Sequence, residues 1–564
     1  MSPMPPMPPM PPASSARRRF LATGLGTALL GAGCQPKPGT EAISGGFTGI
    51  NQGLGHLLQS PKSWPAPGVT HRTGVLIAGG GVAGLAAARA LRLQGMEDFA
   101  LLELEDEAGG NSCAGITGGM ACPRGAHYLP LPGDDAPEVQ DLLEELGLRQ
   151  RVAGRWVYDE RHLCHSPQER LFFNGDWQPG LLPLQDVSAA TLAQYQKFSA
   201  LVAQLQRQAR WRIPASKWPL APVHQALAAI TFETYLNQQG CTDAHLRWYL
   251  DYCCRDDYGA GLATVSAWAG IHYFASRHGF SAPGMETETS EGLLTWPEGN
   301  AWLTRRLAAP LGTRLHTGRV VVRVAQMKHG VEVDCFDATT QTLERWQARR
   351  AIVALPIFVA ARVVENPPDW LRSSAAHTAY APWLVANIHI KAALHDRPGA
   401  PPSWDNVLYG DAQTAPSLGY VDASHQKLQS VPGPTVLTCY RALGDVAAAS
   451  ASAGLAPGVA GRRLLQDQPW HFWRDALLAE LGQPHPDLIS KASHIDITRY
   501  GHAMVIPTPE FFNKNALQPL SNKRYPLQKG ERFALRHQSL NFAHSDWAGY
   551  SVFEEAFTLG HLAA

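Results

Sequence analysis

The 564-residue chain has no Cys-x-x-Cys pair, no His-Glu-x-x-His and no Gly-x-Ser-x-Gly. These absences remove the usual zinc sites, covalent c-type haem, zinc peptidases and the nucleophile elbow of hydrolases. Its nine cysteines are scattered, and buried thiols are the ordinary reading of such a pattern, with a disulfide left open. Formal net charge is also missing: Lys+Arg and Asp+Glu both total 48, so nothing draws the chain to nucleic acid or an acidic membrane surface. No apolar run is long enough to span a bilayer. What is plentiful is Pro (43) and Trp (16), which suits a loop-rich enzyme with aromatic surfaces better than a helical bundle.

Residues 1–13 repeat Met-Pro-Pro, a composition that cannot bury a core. Then come Arg17-Arg18-Arg19-Phe20-Leu21 and a short Gly-rich apolar run to Gly33. Together they resemble a twin-arginine export signal, a route that carries folded, cofactor-loaded proteins. Leu30-Gly31-Ala32-Gly33-Cys34 resembles a lipoprotein cleavage site, which makes Cys34 a candidate lipid anchor. The expected location is the periplasm or, if Cys34 is lipidated, the membrane surface of the bacterial cell envelope. Residues 35–70 read as a lead-in without a clear pattern.

The first folded element is Gly74-Val75-Leu76-Ile77-Ala78, a β-branched run suited to a buried parallel strand. It enters Gly79-Gly80-Gly81-Val82-Ala83-Gly84 and then an Ala-rich helical stretch. This order is the dinucleotide fingerprint. Gly79 allows the tight turn, Gly81 lets backbone approach a pyrophosphate, and Gly84 permits close helix packing. Val82 and Ala83 open the helix, whose free N–H groups face the phosphates. A second strand, Phe99–Leu102, ends at Glu103, nineteen residues after Gly84, where a carboxylate accepts hydrogen bonds from a ribose diol.

Beyond Glu103 stand Gly109-Gly110-Asn111-Ser112, and then Gly125-Ala126-His127-Tyr128. With these motifs the chain resembles the flavin amine oxidase superfamily, which includes monoamine and polyamine oxidases, phytoene desaturases and protoporphyrinogen oxidases. The resemblance implies FAD as cofactor, with the Gly-Gly pair beside its pyrophosphate and the Gly-Ala-His segment along the flavin. Asn111 stands where the family usually has Arg. The resemblance continues at Trp296–Asn300, at the strand around Val321 that supplies backbone to the adenine, at Ala351–Pro356 and at Tyr500–Met504. Near the end, Asp546 matches the acid of the ribityl chain. Val552 and Phe553 open a helix aimed at the flavin, with Glu555 where the family has Gly.

These spacings predict an α/β protein: a Rossmann-like FAD-binding domain interleaved with an α+β substrate-binding domain. The expected FAD-binding pieces are 71–150, 291–360 and 491–564, and the substrate-domain pieces are 151–290 and 361–490. The favoured substrate is an amine, oxidised by hydride transfer to flavin N5, with the electron acceptor unknown. A desaturase-like dehydrogenase of an apolar substrate and an inactive flavin-carrying binding protein are the alternatives. Trp547 and Tyr550, in Trp547-Ala548-Gly549-Tyr550, resemble the aromatic cage of monoamine oxidases, and His502 is a candidate acid–base or flavin-contacting group. Asp251, Arg255, Asp256 and Asp257 form a charged cluster open to a substrate-amine role, and Trp404-Asp405-Asn406 is a candidate entrance. Many amine oxidases place a lysine near the flavin from a substrate-domain strand; here Pro382–Ile390 contains none, so oxidase and dehydrogenase both stay open.

Overall fold

A computed structural model describes residues 42–59, 64–165, 168–284, 292–411, 416–426, 431–446, 455–513 and 535–564. The export-signal residues and Cys34 lie outside these. No helix among the described residues is long and apolar enough to cross a membrane, and their eight cysteines are all free thiols.

The nucleotide half is built on five parallel strands drawn from three parts of the chain. Leu315–His316, Phe99–Leu102, Val69–Ala78, Thr342–Val353 and Leu540–Phe542 lie side by side in that order. All four residues of Phe99–Leu102 and the last five of Val69–Ala78 are buried, as unbroken apolar strands covered on both faces must be. Two antiparallel strands, Arg319–Met327 and Gly330–Asp337, extend the sheet beyond Thr342–Val353. On one face, helix Val82–Leu93 packs its alanines against the strands and receives helix Phe553–Ala563 on its back. A Cβ at Gly560 would stand 2.0 Å from the Ala83 carbonyl oxygen, so only glycine allows this approach.

The other half has a mostly antiparallel eight-stranded sheet in the order 44–47, 492–506, 379–390, 435–442, 420–422, 405–408, 169–173 and 176–179. Helices Ala189–Gln208, Phe232–Gln238, Ala244–Tyr258 and Ala267–Ala275 bury a large aromatic cluster against it. Two details depart from the expected division. Ala492–Ile506, assigned by sequence to the nucleotide half, pairs along Ala379–Ile390 in this second sheet. The lead-in is also ordered here: Ser44–Phe47 runs parallel to His494–Ile497, and helix Gln52–His56 follows.

Candidate functional site

The site begins at the turn after Val69–Ala78. Gly79 has φ +102°, and a Cβ there would meet the Ala354 carbonyl oxygen at 2.4 Å; one at Gly84 would meet that of Gly79 at 1.9 Å. Both must be glycine for strand and helix to meet this closely. Helix Val82–Leu93 starts at Gly81 with no side-chain cap. Its first N–H groups and the positive end of its dipole, about half a charge, are left for a ligand. Gly109 N–H donates to Gly80 O at 2.9 Å, and the Gly81 and Gly109 backbones bridge in parallel. A Cβ on Gly81 would find only Gly110 Cα, at 3.9 Å, so the floor of this cradle is open.

Glu103 closes one side. Its carboxylate accepts from Gly80 N–H at 2.7 Å and Glu105 N–H at 2.8 Å, and burial pushes its pKa up to about 7 despite those amides. Hydroxyl donors from a ribose would restore part of the lost solvation. Glu105 in turn accepts from the Asn51 N–H of the lead-in, at 2.9 Å and 3.0 Å to its two oxygens.

A cavity of about 1530 Å³ starts at this cradle and runs between the two halves. Single small-molecule sites typically occupy roughly 300–1,000 Å³, so there is room for a dinucleotide and a further molecule. Its wall includes Gly79, Gly81, Val82, Ala83, Glu103, Gly109, Gly110, Asn111, Ser112, Gly125, Ala126, His127, Tyr128, Val321, Asp546, Val552 and Phe553. Gly84 lies behind the turn, not on the wall. Ile50, Asn51, Gln52 and His56 of the lead-in also reach the cavity.

The segment Arg124–Tyr128 is fixed from both halves. Ala126 N–H donates to Asn111 O at 2.9 Å, and Asn300 donates to Ala126 O through its amide and to Tyr128 O through Nδ2. From the second sheet, Tyr440 Oη donates to Gly125 O at 3.0 Å and Tyr500 Oη to Arg124 O at 2.8 Å. Asn111, in place of the family's Arg, spends its amide on Ala503 O at 2.5 Å. It therefore joins the glycine pair to strand Ala492–Ile506.

A second uncapped helix meets the same cavity. Helix Phe553–Ala563 starts after Val552 with no side-chain cap, and Ser551, Val552, Phe553, Glu554 and Ala556 are on the wall. Two helix N-termini from opposite ends of the chain thus face one space, an arrangement that favours an anionic or electron-accepting ligand. Asp546, just before, is fully buried. Burial alone would raise its pKa, but His544 (2.9 Å), Tyr380 Oη (2.6 Å) and Ile357 N–H (2.9 Å) hold it below the usual carboxylate range. Its carboxylate ties the C-terminal loop to the start of helix Ile357–Val363 and to the second sheet.

His502 stacks on Phe358 with ring centroids 4.5 Å apart. Its ring is exposed to the cavity, yet surrounding protein and then Arg462 push its pKa down to about 4, so it is neutral near neutral pH. His127, with Tyr440 stacked at 4.7 Å, is pushed by burial to about 3. Tyr128, Trp383, Tyr440, Tyr500 and Met504 complete an apolar, largely aromatic wall around it. Along strand Ala379–Ile390 the cavity meets Tyr380, Trp383 and Val385, and no lysine.

Three expectations need correction. Tyr550 is fully buried among Tyr258, Trp268 and His272, and its hydroxyl donates to Glu555 at 2.7 Å. Trp547 is fully buried against Trp370 and Phe542. Neither reaches the cavity, so both serve packing; aromatic side chains fill cores as readily as they form cages. Trp404 packs under His127 and Tyr128 without reaching the cavity, and Asn406 accepts from buried Arg170 at 2.6 Å. Glu555, the residue in the glycine's place, accepts from Ala215 N–H and from Ser216 Oγ at 2.5 Å, pinning the helix start to the second half. Tyr380, Trp383, Tyr440 and Arg277 sit outside every sequence motif and gain their places on the wall through long-range contacts, whereas Glu554 lies within the C-terminal motif, which gives it no site role of its own.

A family model described as flavin containing amine oxidoreductase matches residues 82–445. Among solved structures, a redesigned double mutant of putrescine oxidase superposes with a TM-score of 0.61 at 16% identity, over 87% of this chain and 98% of that one. Cyclohexylamine oxidase from Brevibacterium oxydans IH-35A gives 0.59 at 17% identity, over 87% and 97%. A CLA-producing fatty acid isomerase from P. acnes gives 0.55 at 14%, also over 87% and 97%. A sequence search of curated proteins finds no match.

Proposed function

Because the chain belongs to the flavin-containing amine oxidoreductases, we propose that this FAD-dependent oxidoreductase takes an amine as its substrate and releases it as an imine. FAD, when bound, accepts a hydride equivalent from the carbon that carries the nitrogen. The nitrogen lone pair must be free to stabilise the cation that this leaves, so the amine has to be neutral where it reacts. The observation that carries the reading is the neutral aromatic enclosure formed by Tyr128, Trp383, Tyr440 and Tyr500 around His127. His127 and His502 both stay uncharged near neutral pH. An enclosure of this kind disfavours ammonium and favours the free amine. Water then hydrolyses the imine to a carbonyl compound and a smaller amine or ammonia.

The residues that would hold the cofactor are Gly79–Val82 and Gly109–Gly110 at the pyrophosphate, Glu103 at the ribose, and the start of helix Phe553–Ala563 toward the flavin. Asp546 would act from behind, by fixing the loop that precedes that helix. Anaerobic mixing of the FAD-loaded protein with amines tests the reading: aliphatic or aromatic amines should bleach the visible flavin band. The fold is shared with a fatty acid isomerase, so bleaching by unsaturated fatty acids alone would replace this reading with the desaturase-like one. A flavin reduced by dithionite but by neither class would refute both.

The cellular site proposed is the envelope, reached by twin-arginine export. Arg17-Arg18 with Phe20-Leu21, followed by small residues up to Cys34, support this.

A further inference from the structure

One arm of the cavity is left unused by the chemistry above. Asp256 and Asp257, in the last turn of helix Ala244–Tyr258, face it together with Arg277 and Glu554. Arg277 is already committed: Nη2 donates to Asp257 at 3.0 Å and Nη1 to Tyr273 O at 2.9 Å. Arg255 pairs with Asp251 at 2.9 Å. Asp256 therefore has no ion pair among the described residues. Behind it, Glu169 and Asp405 face each other across two parallel strands, and the charge of Glu169 pushes Asp256 up rather than relieving it.

Glu554 is the independent sign of a missing partner. It comes from the nucleotide half, is only 6% exposed, and lies on the wall of the arm. Among the described residues its carboxylate takes no hydrogen bond or ion pair from any other residue, whereas Glu555 beside it has donors from Ala215, Ser216 and Tyr550. A carboxylate so buried is disfavoured unless a cation or donors reach it. Burial pushes both Glu554 and Asp256 up to about 7, Asp256 with help from the charge of Asp257. A bound cation would reverse that and hold them ionised.

We propose that this arm binds a protonated amino group remote from the nitrogen being oxidised, which makes the substrate an aliphatic diamine or polyamine and Glu554 and Asp256 its specificity-determining residues. The inference rests on the amine-oxidation reading and deepens it. Tyr128 joins the two regions, since it lines the cavity and lies within the field of Asp256 and Asp257. One end of the substrate channel is thus neutral and aromatic, where an uncharged nitrogen is needed. The other is acidic, where an ammonium group supplies the donors that Asp256 lacks and that Glu554 has only from its own backbone N–H.

The test compares butanediamine with butylamine on the FAD-loaded protein, by half-saturating concentration for anaerobic flavin reduction and by shift in melting temperature. The diamine should half-saturate at a concentration about 30-fold lower, as one charge-assisted contact predicts. Glu554→Gln, and separately Asp256→Asn, should cut that preference about tenfold or more, with a smaller effect on the limiting rate of reduction. Equal half-saturation by both amines, or a preference that survives both substitutions, overturns the proposal while leaving amine oxidation standing. Suppose instead that no amine bleaches the flavin. A melting shift larger for the diamine and lost in Glu554→Gln then keeps the cation site and removes the amine-oxidation reading. The absence of that shift removes the cation site as well.

Discussion

Replacing Glu103 with Gln should cost the protein most of its grip on FAD, and should do so with a pH signature. In the cofactor-free protein burial holds this carboxyl at about 7, even with amides from Glu105 and Gly80. Its folded pKa is thus above the ordinary 4.5, so stability falls as pH rises from 4.5 to about 7. Ribose hydroxyls donate best to the ionised form, so bound FAD lowers that pKa. Binding must then expel a proton below neutrality, and the dissociation constant should rise by up to about tenfold per pH unit below about pH 7. Two hydrogen bonds to a charged acceptor, at about 1.5 kcal/mol each, are lost in Glu103→Gln, a rise of about 100-fold in Kd. The Gln amide also turns an N–H toward either Gly80 N–H or Glu105 N–H, where no acceptor exists. FAD fluorescence quenching on titration into the cofactor-free protein, repeated from about pH 8 to pH 6, measures both effects. The variant should bind weakly with no slope from this group. A wild-type Kd that is flat over that range, together with an unchanged Kd in the variant, would refute the reasoning.

Gly560→Val should force helix Phe553–Ala563 away from Val82–Leu93, because the new Cβ falls 2.0 Å from Ala83 O. Thermal unfolding should show a loss of about 1–3 kcal/mol or more, with FAD release at lower temperature. Tyr550→Phe removes a buried hydroxyl bonded to Glu555; chemical denaturation should register about 1–2 kcal/mol, and amine-driven flavin reduction should keep its limiting rate. A large fall in that rate would return Tyr550 to the substrate site. Replacing Arg17 and Arg18 together with Lys should leave the protein in the cytoplasmic fraction of a twin-arginine-competent host, whereas unchanged periplasmic recovery would remove the export proposal.

The nucleotide cradle was legible because its information is local. A β-branched strand, three glycines, a helix and Glu103 lie within thirty residues of Gly74, and each position has a backbone reason to be what it is. The C-terminal end was legible only in part. Asp546 could be picked by resemblance, but its partners Tyr380 and Ile357 come from distant segments that no spacing announces. Trp547 and Tyr550 misled for a related reason: adjacent aromatics in a loop do not reveal which way they point. Here Glu555 draws Tyr550 away from the cavity and into the core. Tyr500–Met504 lines the cofactor cavity although strand Ala492–Ile506 belongs to the second sheet, so a motif that faces the cofactor does not reveal which half its strand joins. Ser44–Phe47 gave no pattern at all, since a four-residue edge strand takes its conformation from pairing with residues some 450 positions away.

The claim on which the rest depends is that the two uncapped helix starts, at Val82 and Phe553, grip one FAD between them. A crystal structure of the FAD-loaded protein tests it most directly. The account predicts pyrophosphate density at Gly81–Val82 beside Gly109–Gly110, a ribose on Glu103, and the ring system between Ala126 and the start of helix Phe553–Ala563. A flavin seated elsewhere, or a protein that takes up no FAD and shows this cavity empty, would contradict it.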